Sequence, residues 1–123
     1  MTIGNPRLFS VILAAVAAAL APAAAAAHAI IVASQPGVDA VVTGASLPIE
    51  LRFNSRIDQR RSRLTLVRPD GTAATLPLGA ATAPDLLTTR ASGLAPGAYR
   101  LRWQVLSVDG HITRGDIPFT VGE

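Results

Sequence analysis

Two histidines occur in the 123 residues, His28 and His111. His111 stands in the run SVDGHITRGD (Ser107–Asp116), directly after the tight-turn dipeptide Asp109-Gly110. One glycine separates a carboxylate from an imidazole. The two side chains can therefore converge on one point, either across a tight turn or as i, i+2 on a strand face, and Gly110 admits backbone angles that other residues resist. A second Asp-Gly, Asp70-Gly71 in VRPDGTA, has no such neighbour and reads as a plain turn. Taken alone, His111 also fits an ordinary surface turn. The question it raises is whether it works together with His28.

His28 follows Ala25-Ala26-Ala27. If processing cuts there, His28 becomes the N-terminus, and its α-amine and ring Nδ1 can grip one metal ion in a six-membered ring. An internal histidine cannot do this, because its nitrogen is an amide. The α-amine titrates near ~7.7–8.0 and imidazole near ~6.5, so a strongly bound metal can strip both of protons at neutral pH. With Asp109 and His111 the set is three nitrogens and one carboxylate oxygen. A tetragonal N/O set suits Cu(II), which heads the divalent affinity order. The chain has no cysteine and its one methionine is Met1, which excludes a thiolate or thioether site in the domain.

The start of the chain explains why a cut is expected. Arg7 precedes an apolar run from Leu8 to Leu20, then Pro22 and an alanine tract. Positive, apolar and small-residue regions in that order make residues 1–27 a secretory signal peptide. A retained membrane helix is the alternative, but the aliphatic run is shorter than the ~20 residues a span needs. A single arginine argues against the twin-arginine route, and the lack of cysteine excludes lipid attachment through a thiol. Two cut sites obey the small-x-small rule, before His28 and before Ile30, and the second would discard His28. The first leaves residues 28–123 with ten arginines, no lysine and eight acidic residues, a net charge of +2. That is too small for a general nucleic-acid binder. Without disulfides, an exported domain of this size must be held by its core alone.

From Ala29 onward the hydrophobic period is two. LPIELRF places Leu47, Ile49, Leu51 and Phe53 on one face, and YRLRWQV does the same with Tyr99, Leu101, Trp103 and Val105. DIPFTV repeats the pattern with Ile117, Phe119 and Val121. SRLTLVR (Ser62–Arg68), Thr72–Leu76, AIIVASQPG and DLLTTR complete about seven short strands, with turn signals at about ten-residue intervals. The expected architecture is all-β: an immunoglobulin-like antiparallel β-sandwich or Greek-key barrel. LAPGAY resembles the tyrosine corner of such sandwiches, with the Tyr99 hydroxyl tied to nearby backbone. Pro77–Asp85 reads as a soft loop. The cluster RIDQRRSR (Arg56–Arg63) reads as a solvated loop and strand edge, with a docking patch for an acidic partner or a membrane surface as its functional alternative.

HAIIVASQPGVDAVV, IELRFNSRID and APGAYRLRWQVLSVDGHITRGDIPFTV together resemble the CopC family of periplasmic copper-binding proteins. The family pattern is an N-terminal His-Ala, a Ser-x-Pro-like turn, a Leu-x-Phe strand and Trp-x-x-x-Ser-x-Asp-Gly-His. The resemblance spans nearly all of residues 28–123. It implies one Cu(II) ion held by the amine and ring of His28, an oxygen of Asp109 and the ring of His111. It also favours the cut before His28. The methionine-rich Cu(I) site and the fused membrane transport domain of some members are not expected here. The implied role is a monomeric periplasmic copper carrier or buffer in copper homeostasis or resistance, without turnover. Its partners would be the copper ion and an inner-membrane copper transporter, which would give it its only contact with the membrane. Two rival readings exist. One is a copper histidine-brace oxidase of the polysaccharide monooxygenase kind, which needs an open equatorial position that Asp109 would fill and an aromatic platform that one Trp, one Tyr and three Phe do not supply. The other is a metal-free immunoglobulin-like interaction module.

Overall fold

The computed structural model describes residues 28–123; the expected signal segment, residues 1–27, lies outside them. Eight strands follow in chain order: β1 (Ile31–Gln35), β2 (Ala40–Thr43), β3 (Leu47–Phe53), β4 (Ile57–Val67), β5 (Ala73–Leu76), β6 (Leu86–Ala91), β7 (Gly97–Ser107) and β8 (Ile112–Gly122). They form a three-stranded sheet, β1-β3-β6, and a five-stranded sheet, β2-β8-β7-β4-β5. This is the expected immunoglobulin-like sandwich. Seven of the strands coincide with the segments that the alternation marks.

β2 is the eighth, and it also breaks the antiparallel rule by pairing parallel to β8, with Val41 opposite Thr120. The chain leaves β1 in one sheet, bends at Pro36-Gly37 and joins the edge of the other sheet, so β2 lies beside β8 in the direction it already has. β4 starts at Ile57, five residues before the expected Ser62, because the arginine-rich segment belongs to the strand. The register with β7 slips there: Asp58 faces Leu106, but the next paired residue is Arg63, facing Gln104. The extra residues form a bulge closed locally, with the Ser62 hydroxyl donating to the Asp58 carbonyl at 2.7 Å.

The core lies between the sheets and is filled from the alternating faces. Leu47, Ile49, Leu51 and Phe53 of β3 are buried against Leu101, Trp103, Val105, Ile117 and Phe119, while Pro48, Glu50 and Arg52 are exposed. Trp103 meets Phe53 edge-on at 5.5 Å between ring centroids. Its indole lies over Gly115, its register partner on β8, where a Cβ would come within 2.5 Å of the ring. The tyrosine corner is present: the Tyr99 hydroxyl donates to the Ala95 carbonyl at 2.7 Å, and the ring stacks on Phe119.

Two consequences of this frame bear on function. The β7–β8 hairpin ends its ladder at Leu106 and Ile112, which presents residues 108–111 as a tip at one end of the sandwich. β1 pairs antiparallel with β3, Ile31 facing Phe53, so residues 28–30 run toward the same end.

Candidate metal centre

The hairpin tip is held by Ser107. This serine continues the inward row of Tyr99, Leu101, Trp103 and Val105 and is buried. A hydroxyl on that face must find partners. It donates to the Asp109 carboxylate and accepts from the His111 amide at 3.2 Å. The backbone closes the same loop: the Ser107 amide donates to the His111 carbonyl at 2.8 Å, and the Gly110 amide donates to the Ser107 carbonyl at 2.9 Å. Gly110 has a φ of 90°, the left-handed region where a side chain would be strained. Turn chemistry thus fixes both candidate side chains from one buried point.

Asp109 and His111 touch. His111 Nδ1 lies 3.1 Å from Asp109 Oδ2. With Nδ1 turned to the carboxylate, Nε2 is the ring's free nitrogen, the usual device by which a carboxylate orients a metal-binding imidazole. The hydrogen bond from the Ser107 hydroxyl, then that from the His111 ring, hold the Asp109 carboxyl at about 2, below its ordinary 3.8. It is therefore ionised throughout the neutral and mildly acidic range.

His28 comes from the other end of the described sequence. Its ring centroid is 5.2 Å from that of His111, with the rings near perpendicular at 74°. The approach is built by the two residues behind it. Ala29 is fully buried, and its carbonyl accepts from the Thr113 hydroxyl at 2.9 Å across a separation of 84 residues. Ile30 is clamped twice by Asn54: its amide donates to Asn54 Oδ1 at 2.9 Å, and its carbonyl accepts from the Asn54 amide at 3.0 Å. These bonds extend the β1–β3 ladder and leave His28 exposed beside the hairpin tip.

All three sequence-predicted residues lie at one end of the sandwich, with His111 in contact with Asp109 and beside His28. Among the described residues no three His, Cys, Asp or Glu side chains converge as a ready-made metal cage. In this arrangement Asp109 faces His111 and Ser107. The donors gathered at this end are nitrogen and oxygen only, and a free amine on His28 would make a further nitrogen donor. Ser107, Thr113 and Asn54 escape sequence reasoning. Only Ser107 leaves a trace there, as a polar residue on an otherwise apolar strand face.

A family model for the CopC domain matches residues 31–122. Copper resistance protein C of Xanthomonas campestris pv. juglandis is 36% identical over 114 residues, covering 86% of this chain and 89% of that protein. Protein YobA of Escherichia coli K12 is 34% identical over 98 residues, covering 77% and 79%. The crystal structure of CopC from Methylosinus trichosporium OB3b matches the fold with a TM-score of 0.70 at 31% identity, over 77% of this chain and 94% of that one. With a matched sequence that runs from the first strand to the last, the chain belongs to the CopC family.

Proposed function

We propose that the chain is exported, begins at His28 after removal of residues 1–27, and holds one Cu(II) ion outside the cytoplasm as a carrier or buffer. The observation that carries this reading is the meeting of His28 and His111, 5.2 Å apart, with Asp109 on the same turn. Membership of a family that includes a copper resistance protein supports it. The donor set suits the ion: amine and imidazole from His28, imidazole from His111 and carboxylate from Asp109, with no soft sulfur to favour Cu(I). The protein's own part is to position donors. The hairpin orients His111 through Asp109, and the arm formed by Ala29 and Ile30 delivers the chain terminus. The amine exists only after the leader is removed, so the full site forms only after export. The ion would pass to or from a partner such as an inner-membrane transporter, and the domain acts as a monomer without turnover.

The test compares protein beginning at His28 with the same protein carrying one extra residue in front. Titration with Cu(II) against a competing chelator should show affinity falling by more than ~100-fold in the extended form, beyond the 10–100-fold typical of losing an outer-shell partner. Asp109→Asn should weaken binding and change the copper EPR spectrum. Equal affinities for the two N-termini would remove the amine from the site, and an unchanged spectrum would remove Asp109.

A further inference from the structure

The outward face of the five-stranded sheet is rich in arginine. Strand register sets its composition in rows: Arg63 of β4, Gln104 of β7 and Arg114 of β8 in one row, and Thr65, Arg102 and Asp116 in the next. Arg100 follows on β7, opposite Pro118. All four arginines are exposed. Two acids share the face, Asp116 of β8 and Asp58 of β4, the register partner of Leu106, so it carries +2. The described domain has ten arginines and eight acids, a balance of +2, so everything outside the face is net neutral. The positive charge of the domain is concentrated on one side.

Asp116 shows what this face accepts. Its carboxylate sits between two arginines, Oδ1 at 3.2 Å from Arg102 Nε and Oδ2 at 3.7 Å from Arg100 Nη1. Arg114 is the next outward residue on β8 and is held toward the sheet by Gln104 at 2.9 Å, with Arg63 on the far side of Gln104 on β4. Alternate residues on a strand stand roughly 6.6 Å apart and neighbouring strands about 4.8 Å apart. Arg100 and Arg102, alternate residues on β7, therefore stand at the spacing of carboxylates on alternate residues of an extended acidic segment, with Arg63 and Arg114 on the strands to either side. A lipid surface fits less well. The Trp, Tyr and Phe side chains of the described domain are all buried, so the face has no aromatic anchor to enter a bilayer, and Asp116 would meet the anionic headgroups.

We infer that this arginine face docks the carboxylate-rich surface of a protein partner. Arg114 is three residues from His111 along β8, about 10 Å. The exposed Ile112 lies between the arginines and the hairpin tip, and the tip itself carries the exposed Val108. A partner seated on the arginines would thus reach the histidines, and that consequence, unlike the docking itself, rests on the copper reading.

The experiment uses residues 28–123 and a synthetic twelve-residue peptide of alternating glutamate and serine, followed by amide chemical shifts. Shifts should map to outward residues of β4, β7 and β8. Arg63→Gln/Arg114→Gln, which leaves the Asp116 pairs intact, should weaken peptide binding roughly fivefold. Arg52→Gln/Arg90→Gln removes the same charge from the opposite sheet and should change it less than about twofold. Equal losses in the two variants would reduce the effect to net charge and overturn the proposal. So would shifts elsewhere, or no binding. Co-sedimentation with phosphatidylglycerol vesicles that Arg63→Gln/Arg114→Gln abolishes, without peptide binding, would make the face a membrane surface and overturn it as well. Both variants should keep the copper EPR spectrum of the parent, so failure of docking leaves the copper reading standing, and loss of copper binding leaves the docking measurable.

Discussion

Replacing Thr113 by valine isolates the bond that brings the chain terminus to the hairpin. Valine keeps the shape and the β-branch of threonine, so the change reduces to one hydroxyl. That hydroxyl donates to the Ala29 carbonyl at 2.9 Å, and Ala29 is 0% exposed, which leaves water no easy route to the orphaned acceptor. An unsatisfied buried acceptor costs about 1–3 kcal/mol. The closed arm has little to set against that. Its other gains are two bonds to Asn54 at about 1 kcal/mol each and one buried methyl at about 0.8 kcal/mol. Ordering Ala29 and Ile30 costs about 1–2 kcal/mol per residue. The arm is close to balance, so losing one bond shifts it toward open, and apparent affinity falls with the closed fraction. A loss of about 1–2 kcal/mol corresponds to roughly 5- to 30-fold weaker Cu(II) binding. Two measurements on protein beginning at His28 check this: chelator competition for affinity, and amide exchange at Ile30, whose N–H donates to Asn54. Both should change by a similar factor, while exchange at Leu101 in the central strand β7 serves as the reference for global stability. Unchanged exchange at Ile30 would refute the clamp. Faster exchange with unchanged affinity would refute the arm's part in binding.

Gly115→Ala would set a Cβ 2.5 Å from the Trp103 ring, which packs edge-on against Phe53 in the core. Overpacking of this kind costs about 1–3 kcal/mol, a fall in Tm of roughly 5–15 °C for a domain of this size, with a changed near-ultraviolet dichroism band from Trp103; an unchanged Tm would show that the sheet yields freely there. The Asp109 carboxyl titrates at about 2 when folded and 3.8 otherwise, a depressed value, so its contribution to the turn is complete above pH 3.8 and is lost as pH falls through about 2. Metal release on acidification from pH 7 to 5 should therefore follow protonation of the nitrogen donors, with the Asp109 carboxyl carbon showing no titration in that interval by NMR; a carboxyl midpoint above 3.8 in the metal-free protein would contradict the hydrogen-bonding account.

What the chain makes legible is what repeats locally. Leu47 to Phe53 and Tyr99 to Val105 announce buried faces because burial on a strand recurs every second residue, and LAPGAY announces the corner because its bond spans only four residues. β2 carries no such signal. It is four residues long between two turn motifs, Val41 is exposed, and its parallel partner lies some eighty residues away. The start of β4 is hidden for a related reason: the bulge between Asp58 and Arg63 breaks the alternation, so a strand reads as a charged loop. The metal centre divides along the same line. Its candidate donors are legible because few residue types can do the chemistry, and Asp109-Gly110-His111 is a local turn. The residues that place them are not, since Thr113 and Asn54 act across 84 and 24 positions through backbone groups that every residue has. Ser107 lies between these cases. It occupies the inward phase of β7 one step beyond Val105, where an apolar residue is due, and a hydroxyl there implies a specific hydrogen-bonding demand. An interruption of the apolar phase at the end of a strand, two residues before a carboxylate and four before an imidazole, is a readable mark of a side chain that positions a site rather than fills a core.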